Sequence, residues 1–180
     1  MAKSNSRESP IWQLEQLGYG EQYSHEISDM LETTDLLRGL TRPEIDLVSR
    51  FAHAYRAPKG AVILREGGQE NYLFIVVQGE VEIRKELSHE GEDMQKLAVV
   101  KRGKSVGEMS LIDGYPYSAT ALASEESILV LLSRNTFERL ADEYPKVLIQ
   151  IVMNIANLMS LRLRRTSGAL SDYLSNDEVS

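Results

Sequence analysis

The sequence predicts an α+β fold: an antiparallel β jelly-roll barrel with N-terminal helices and a long C-terminal helix. Three observations predict it. Between Lys59 and Val100, short apolar or alternating segments are separated by glycines, as in antiparallel all-β architectures. Ahead of them, Thr41-Arg42-Pro43-Glu44 carries the helix-start pattern in which a threonine and a glutamate three residues later satisfy each other's ends. Near the end, apolar residues recur at helical spacing from Val147 to Leu161, after Pro145 at a helix start.

The elements follow in order. Residues 1–10 are polar and serine-rich and are expected to be a disordered tail. Residues 11–40 are expected to form an N-terminal helical arm. Ile11, Trp12, Leu14 and Leu17 have helical spacing but are cut short by Gly18 and Gly20, and Tyr23, Ile27, Met30 and Leu31 give an amphipathic helix over 21–33. The helix after Thr41 buries Ile45 and Val48 and is expected to end near Tyr55. Ala61–Leu64, Tyr72–Val77, Val81–Arg84 and Lys96–Val100 are the predicted strands. Gln78-Gly79 turns between two of them, and His89–Asp93 is a charged tip. Ser127–Leu132 is the predicted last strand and Ser133–Leu140 a short helix. The barrel with its flanking helices is assigned to 41–145, the final helix to 146–172, and a second disordered tail to 173–180.

Composition narrows the function. The 180 residues suit one domain, with 42% hydrophobic and 26% charged side chains. There are 20 basic and 27 acidic residues, a net charge of −7, which gives no electrostatic drive toward nucleic acid or an anionic membrane. With no cysteine, disulfides and thiolate metal sites are excluded, in keeping with a cytoplasmic protein. The run from Val147 to Met159 is interrupted by Gln150, Asn154 and Asn157, so no membrane span is expected there. No enzyme is predicted: His25, His53 and His89 are isolated, and Glu125-Glu126 and Asp142-Glu143 are adjacent pairs of the kind that face solvent. No metal and no resident cofactor is expected.

The most informative stretch is Gly107–Ala123, GEMSLIDGYPYSATALA. Gly107 and Gly114 offer backbone where a side chain would obstruct a ligand. Glu108 is a carboxylate beside apolar Met109, and Ser110–Asp113 can make one helical turn with free N–H groups. Pro116 fixes the chain before Tyr117-Ser118-Ala119-Thr120, whose small members leave amides open. Main chain can hold a phosphate in this way while a carboxylate holds an adjacent sugar hydroxyl.

On these residues the stretch resembles the phosphate-binding cassette of cyclic nucleotide-binding domains, the family of kinase regulatory subunits, nucleotide-gated channels and the bacterial catabolite activator. The family pattern is roughly Gly-Glu-x-x-Leu, a loop, then Pro-Arg-(Ala/Ser)-Ala-Thr. Gly107, Glu108, Leu111, Pro116, Ser118, Ala119 and Thr120 match it. The glycine spacing of 60–103 resembles the first half of the family barrel, so the resemblance covers about residues 36–165. It implies that Glu108 binds a ribose 2′-hydroxyl and that Gly107, Met109, Ser110, Ser118 and Ala119 line the phosphate. It also implies that Thr166 and Ser167, which resemble a Thr-Ser pair on the activator's long helix, meet the base. The family's phosphate-binding arginine is replaced by Tyr117. A phenol offers at most one neutral bond where a guanidinium offers two charged ones, each worth about 1.5–3 kcal/mol, so affinity should fall on the order of tenfold to a few hundredfold. Arg65, Arg102 or Lys104 are candidates to substitute.

Two apolar rows on the last helix, Leu148-Val152-Ile155-Met159 and Val147-Ile151-Leu158-Leu161, suggest that one covers the barrel and the other meets a second copy. Arg162, Arg164 and Arg165 are read as favouring the helix's negative end. The expected function is a sensor domain for cyclic AMP, cyclic GMP or another small anionic ligand, homodimeric through this helix. The polar tail is read as leaving no room for a helix-turn-helix, so output would pass through an effector protein without direct DNA binding. The alternative is a ligand-free barrel that survives as an interaction or dimerisation scaffold.

Overall fold

The computed structural model describes residues 10–87 and 94–177. The expected N-terminal tail through residue 9, the 89–93 tip and residues 178–180 lie outside the described residues. Nine strands form two open antiparallel sheets. The first sheet has the order β1-β2-β9-β4-β7, from β1 (Glu15–Tyr19), β2 (His53–Ala57), β9 (Ser127–Ser133), β4 (Tyr72–Gln78) and β7 (Ser105–Val106). The second has the order β3-β8-β5-β6, from β3 (Val62–Leu64), β8 (Thr120–Ala123), β5 (Glu80–Glu86) and β6 (Met94–Lys101). This is the jelly-roll expected, built as an open sandwich rather than a closed barrel.

The sequence of β4 explains the layering. Its six residues Tyr72–Val77 are all buried, without the alternation of a strand that has one wet face. Tyr72, Phe74 and Val76 point between the sheets, with Ile63, Val81, Ala121, Leu129 and Leu131. Leu73, Ile75 and Val77 point the other way, into a second core with Ile27, Leu36, Val48, Leu140 and Ile151 from the helices. β9 divides in the same manner, Leu129 and Leu131 against Val130 and Leu132. The first sheet is therefore covered on both faces. β5 keeps its alternation because one side of its sheet meets water.

Helices α1 (Ser24–Leu31) and α2 (Arg42–Ser49) lie on the outer face of the first sheet with α4 (Arg134–Glu143) and α5 (Pro145–Asp177). The start of α2 is as read: Glu44 Oε2 accepts from both Thr41 N and Thr41 Oγ1 at 2.7 Å. These bonds hold the Glu44 carboxyl below its ordinary range. α2 stops at Ser49, earlier than expected, because Ala52 and Ala54 are needed in the core and His53–Ala57 pairs residue by residue with β9. The arm is likewise not wholly helical, since Glu15–Tyr19 pairs with β2 and stacks Tyr19 on His53 at 5.5 Å.

α5 runs 33 residues to Asp177, through the segment expected to be tail. A single glycine costs a helix about 1 kcal/mol relative to alanine, which the long run of helix formers around Gly168 absorbs. α5 is long and apolar enough to cross a membrane, a departure from the reading of 147–159 alone, but its first turns are spent on the core. Val147, Ile151 and Ile155 are buried there, and Ile149, Val152 and Met153 face outward. Ile155 therefore belongs to the core row and not to the outward one. Asn154 lies among the buried positions because its Nδ2 donates to Leu36 O at 2.9 Å and Arg38 O at 2.8 Å.

Those two bonds pin α5 to the 3-10 turn Asp35–Leu37. Asn154→Leu, though more apolar, takes the Nδ2 donor from Leu36 O and leaves Arg38 O with only the 3.5 Å bond from Gln150 Nε2, and should destabilise the fold by about 1–3 kcal/mol in urea unfolding at unchanged m. A neutral result would remove Asn154 from the account of how α5 is held.

Candidate ligand site

The stretch expected to carry the ligand folds as the edge strand β7, helix α3 (Glu108–Asp113) and the start of β8. Gly107 caps α3 at φ 91°, a conformation other residues avoid. A Cβ there would stand 2.9 Å from Tyr72 O. Glycine is needed on both counts, and the turn it allows drives the next residue, Glu108, into the protein.

Glu108 is 2% exposed. A buried carboxylate is costly unless charged and neutral donors surround it. Ser105 Oγ donates to Oε1 at 2.6 Å. Arg162, from α5, donates through Nη2 to Oε1 at 2.9 Å and through Nη1 to Oε2 at 3.1 Å. The same Nη2 also donates to Ser105 O at 2.9 Å. The last helix thus places a guanidinium fork on the carboxylate of the cassette.

Tyr117 is 5% exposed and packs among the residues between the sheets. Its hydroxyl donates to Tyr72 O at 2.7 Å and accepts from Tyr72 N at 3.3 Å. Because Tyr72 O borders Gly107, the phenol ends beside the start of α3. The backbone holds it there: Tyr117 N donates to Gly68 O and Gly67 N to Tyr117 O, both at 2.9 Å. Burial pushes the Tyr117 phenol far above its ordinary range. Two buried polar atoms nearby in the chain's layout have no partner among the described residues, Glu70 Oε2 and Ser110 Oγ.

The remaining positions are less enclosed. Met109 is 49% exposed, Ser118 is exposed and Ala119 half-buried. Ser118 O accepts from Lys85 Nζ at 2.7 Å, a cation from β5 that also pairs with Glu66. Of the cations considered as substitutes for an arginine, Lys104 pairs with Asp35 instead. Thr166 and Ser167 are exposed on α5, and Thr166 Oγ1 donates back to Arg162 O at 3.0 Å. The structure thus brings Gly107, Glu108, Ser110 and Tyr117 together and leaves Thr166 and Ser167 one turn past Arg162. No group of three histidine or acidic side chains able to hold a metal exists among the described residues.

Residues 55–144 match the family described as the cyclic nucleotide-binding domain. This chain belongs to that family. It is 32% identical over 149 residues to the cyclic AMP receptor protein of Thermus thermophilus, covering 83% of this chain and 66% of the relative. It is 32% identical over 95 residues to the cAMP-dependent protein kinase regulatory subunit of Blastocladiella emersonii, covering 53% of this chain and 23% of that protein. The chain spans about two thirds or less of these relatives. Among solved structures, a cyclic nucleotide-binding domain from Methylobacillus flagellatus superposes with a TM-score of 0.77 at 28% identity, covering 91% of this chain and 90% of the other. The Thermus thermophilus catabolite activator protein gives 0.67 at 32% identity, covering 79% and 63%. The domain is a regulatory, non-enzymatic one.

Within this cyclic nucleotide-binding domain, the sequence reading missed Arg162 as a site residue and assigned it to the helix end. Its partner lies 54 positions away, and no local pattern signals a contact of that span. Ser105, just before Gly107, was also missed. A hydroxyl three residues ahead of a buried acid was the available signal.

The enclosure of Tyr117 has a pH signature. A phenol whose folded pKa is raised stabilises the fold below its ordinary value of about 10 and loses that stabilisation as pH rises above it. In an alkaline absorbance titration of the folded protein Tyr117 and, by burial, Tyr55 should ionise above the ordinary phenol range. Tyr117→Phe should remove one such step. All eight tyrosines ionising together near pH 10 in the folded protein would contradict this enclosure.

Proposed function

We propose that the chain is a sensor domain in which a cyclic nucleotide, cyclic AMP or cyclic GMP, binds at the cassette and acts on α5 through Glu108. One observation carries the reading: the carboxylate that the family resemblance gives to a ribose hydroxyl is bound by Arg162 of the last helix. A carboxylate has about four acceptor positions, and Ser105 and the two Arg162 nitrogens account for three donors. A sugar hydroxyl arriving at Glu108 either completes this set or displaces Arg162. In both cases it binds the two arrangements of α5 unequally, which is all a ligand needs to shift their populations. Gly107, Ser110, Ser118 and Ala119 supply the cradle, with Met109 at its rim. Thr166 and Ser167 reach a base only if Thr166 gives up its bond to its own helix.

Tyr117 sets the affinity low. Its phenol stands beside the start of α3, and the cation bonded to the neighbouring Ser118 O is Lys85. This supports binding weaker than that of an arginine-bearing cassette. A second reading, a ligand-free scaffold, is favoured by the same residue: the Tyr117 hydroxyl is taken up by the fold, donating to Tyr72 O and accepting from Tyr72 N. Calorimetric titration with cyclic AMP and cyclic GMP separates the two. Saturable binding that Glu108→Ala weakens by tenfold or more is the result expected of the sensor. A flat titration into the millimolar range supports the scaffold.

The proposal includes a homodimer. Ile149, Met153, Ala156, Ser160, Leu163, Ser167, Leu170 and Leu174 alternate at spacings of four and three along the exposed side of α5, the pattern of a two-helix seam. Its large members are exposed, Met153 by 54% and Leu163 by 68%. Met153→Glu should convert the dimer to monomer by light scattering without loss of the fold. An unaltered mass, or a wild-type protein that is already monomeric, would remove the seam. We place the protein in the cytoplasm, signalling through an effector protein without contacting DNA itself.

A further inference from the structure

Away from the cassette, a groove runs between the turn after β1, the end of α2 and helix α4. It has two compartments, of about 430 and 270 Å³, that share Gly20, Arg50, Phe51 and Arg139. The larger has an apolar lining from Leu47, Phe51 and Tyr144, with Glu21 and Glu143 also on its wall. The smaller has no acidic side chain on its wall, although the chain as a whole carries a net charge of −7. It holds Arg50, Arg139, Ser133 and Asn135 instead, with the ring of Tyr19 at one side.

The two arginines are held differently. Arg139 lies over Phe51, its guanidinium carbon 4.2 Å from the ring centre, with Glu143 no closer than 3.6 Å. The cation–π contact holds the guanidinium in place and leaves N–H groups to bond. Arg50 is exposed, and its guanidinium makes no hydrogen bond or ion pair to any described residue. Asn135 stands in the first turn of α4, whose Arg134 N donates to Asn71 O and Thr136 N to Ser133 Oγ. Burial pushes the His53 imidazole, on the same wall, below its ordinary range, so the fixed positive charge of the wall is that of the arginines. Among the described residues Arg50 has no acceptor and Arg139 has one only at 3.6 Å, and two guanidinium groups so placed select an anion. The adjoining apolar compartment selects a flat body attached to it, and the two volumes together are of the size that small organic ligands occupy.

We propose that this groove is a second ligand site, for a small organic phosphate whose anionic head sits between Arg50 and Arg139 and whose aromatic or apolar body lies against Phe51, Leu47 and Tyr144. The site is independent of the cassette and of the reading given to it. A regulatory domain with both would answer two small molecules, one near each edge of the first sheet.

Phenyl phosphate is the probe, with inorganic phosphate as the headgroup alone, followed by amide shifts of the whole protein. Saturable shifts at Gly20, Phe51 and Asn135 are expected, tighter for phenyl phosphate than for inorganic phosphate. Arg50→Gln, which removes a side chain without contacts, should weaken binding about tenfold or more. Arg139→Lys, which keeps charge but not the planar stack, should weaken it as well, and Glu108→Ala should leave it unchanged. Shifts confined to 107–120, or binding that survives Arg50→Gln unaltered, would overturn the second site while leaving the cassette reading in place. Absence of saturable shifts at the groove would also overturn it.

Discussion

A carboxylate taken out of water has to be met by positive charge, and in this protein Glu108 is met by Arg162. Much of the architecture serves that pairing. Gly107 supplies the left-handed turn that sends Glu108 inward. Ser105, on β7, gives a hydroxyl to the carboxylate and a carbonyl to the guanidinium. α5 must be long enough, and anchored well enough by Val147, Ile151, Asn154 and Ile155, to deliver Arg162 to the far edge of the sandwich. Arg162 itself is 48% exposed on its side chain, so water reaches one side of the pair. The contact is strong enough to orient the helix and open enough to be exchanged.

The first sheet makes the anchoring possible. Its central strands bury both faces, and the backbones of β2, β9 and β4 separate the two cores. A change in how α5 lies is felt on one side by the helical core and at its far end by α3, while the contents of the sandwich stay packed. The cassette and the groove beside α4 sit at different borders of this same sheet. Each draws on an arginine carried by a helix, Arg162 in one case and Arg139 in the other.

What was legible in the sequence was local. The helix start at Thr41, the glycine turns, and the cassette with Gly107 ahead of Glu108 could be read because each depends on residues a few positions apart. β1 and β2 were read as helix or helix end, since EQLGY and HAYRA are short and only pairing with neighbours makes them strands. The apolar rows of α5 were visible, yet not which of their members face the core, as Val147, Ile151 and Ile155 do. Rows one residue apart lie about 100° apart around a helix, and tertiary packing decides which of them turns to the core. Tyr117 was identified as the unusual position in the cassette, but its hydroxyl bond to the backbone of Tyr72 spans 45 residues. The sequence offered no way to see whether the ring faced a ligand or the core. The Glu108–Arg162 pair, spanning 54 residues, was out of reach for the same reason.

The account stands or falls on Glu108 holding the far half of α5. Amide hydrogen exchange across residues 158–177, compared between the wild-type protein and Glu108→Gln, tests this directly. The substitution keeps the side chain's shape and removes the charge that binds Arg162. Faster exchange beyond Leu161, with the segment around Ile151 unchanged, is the result predicted. Equal protection of the distal helix in both proteins would mean that α5 is held by something other than the cassette, and the coupling between them would be lost.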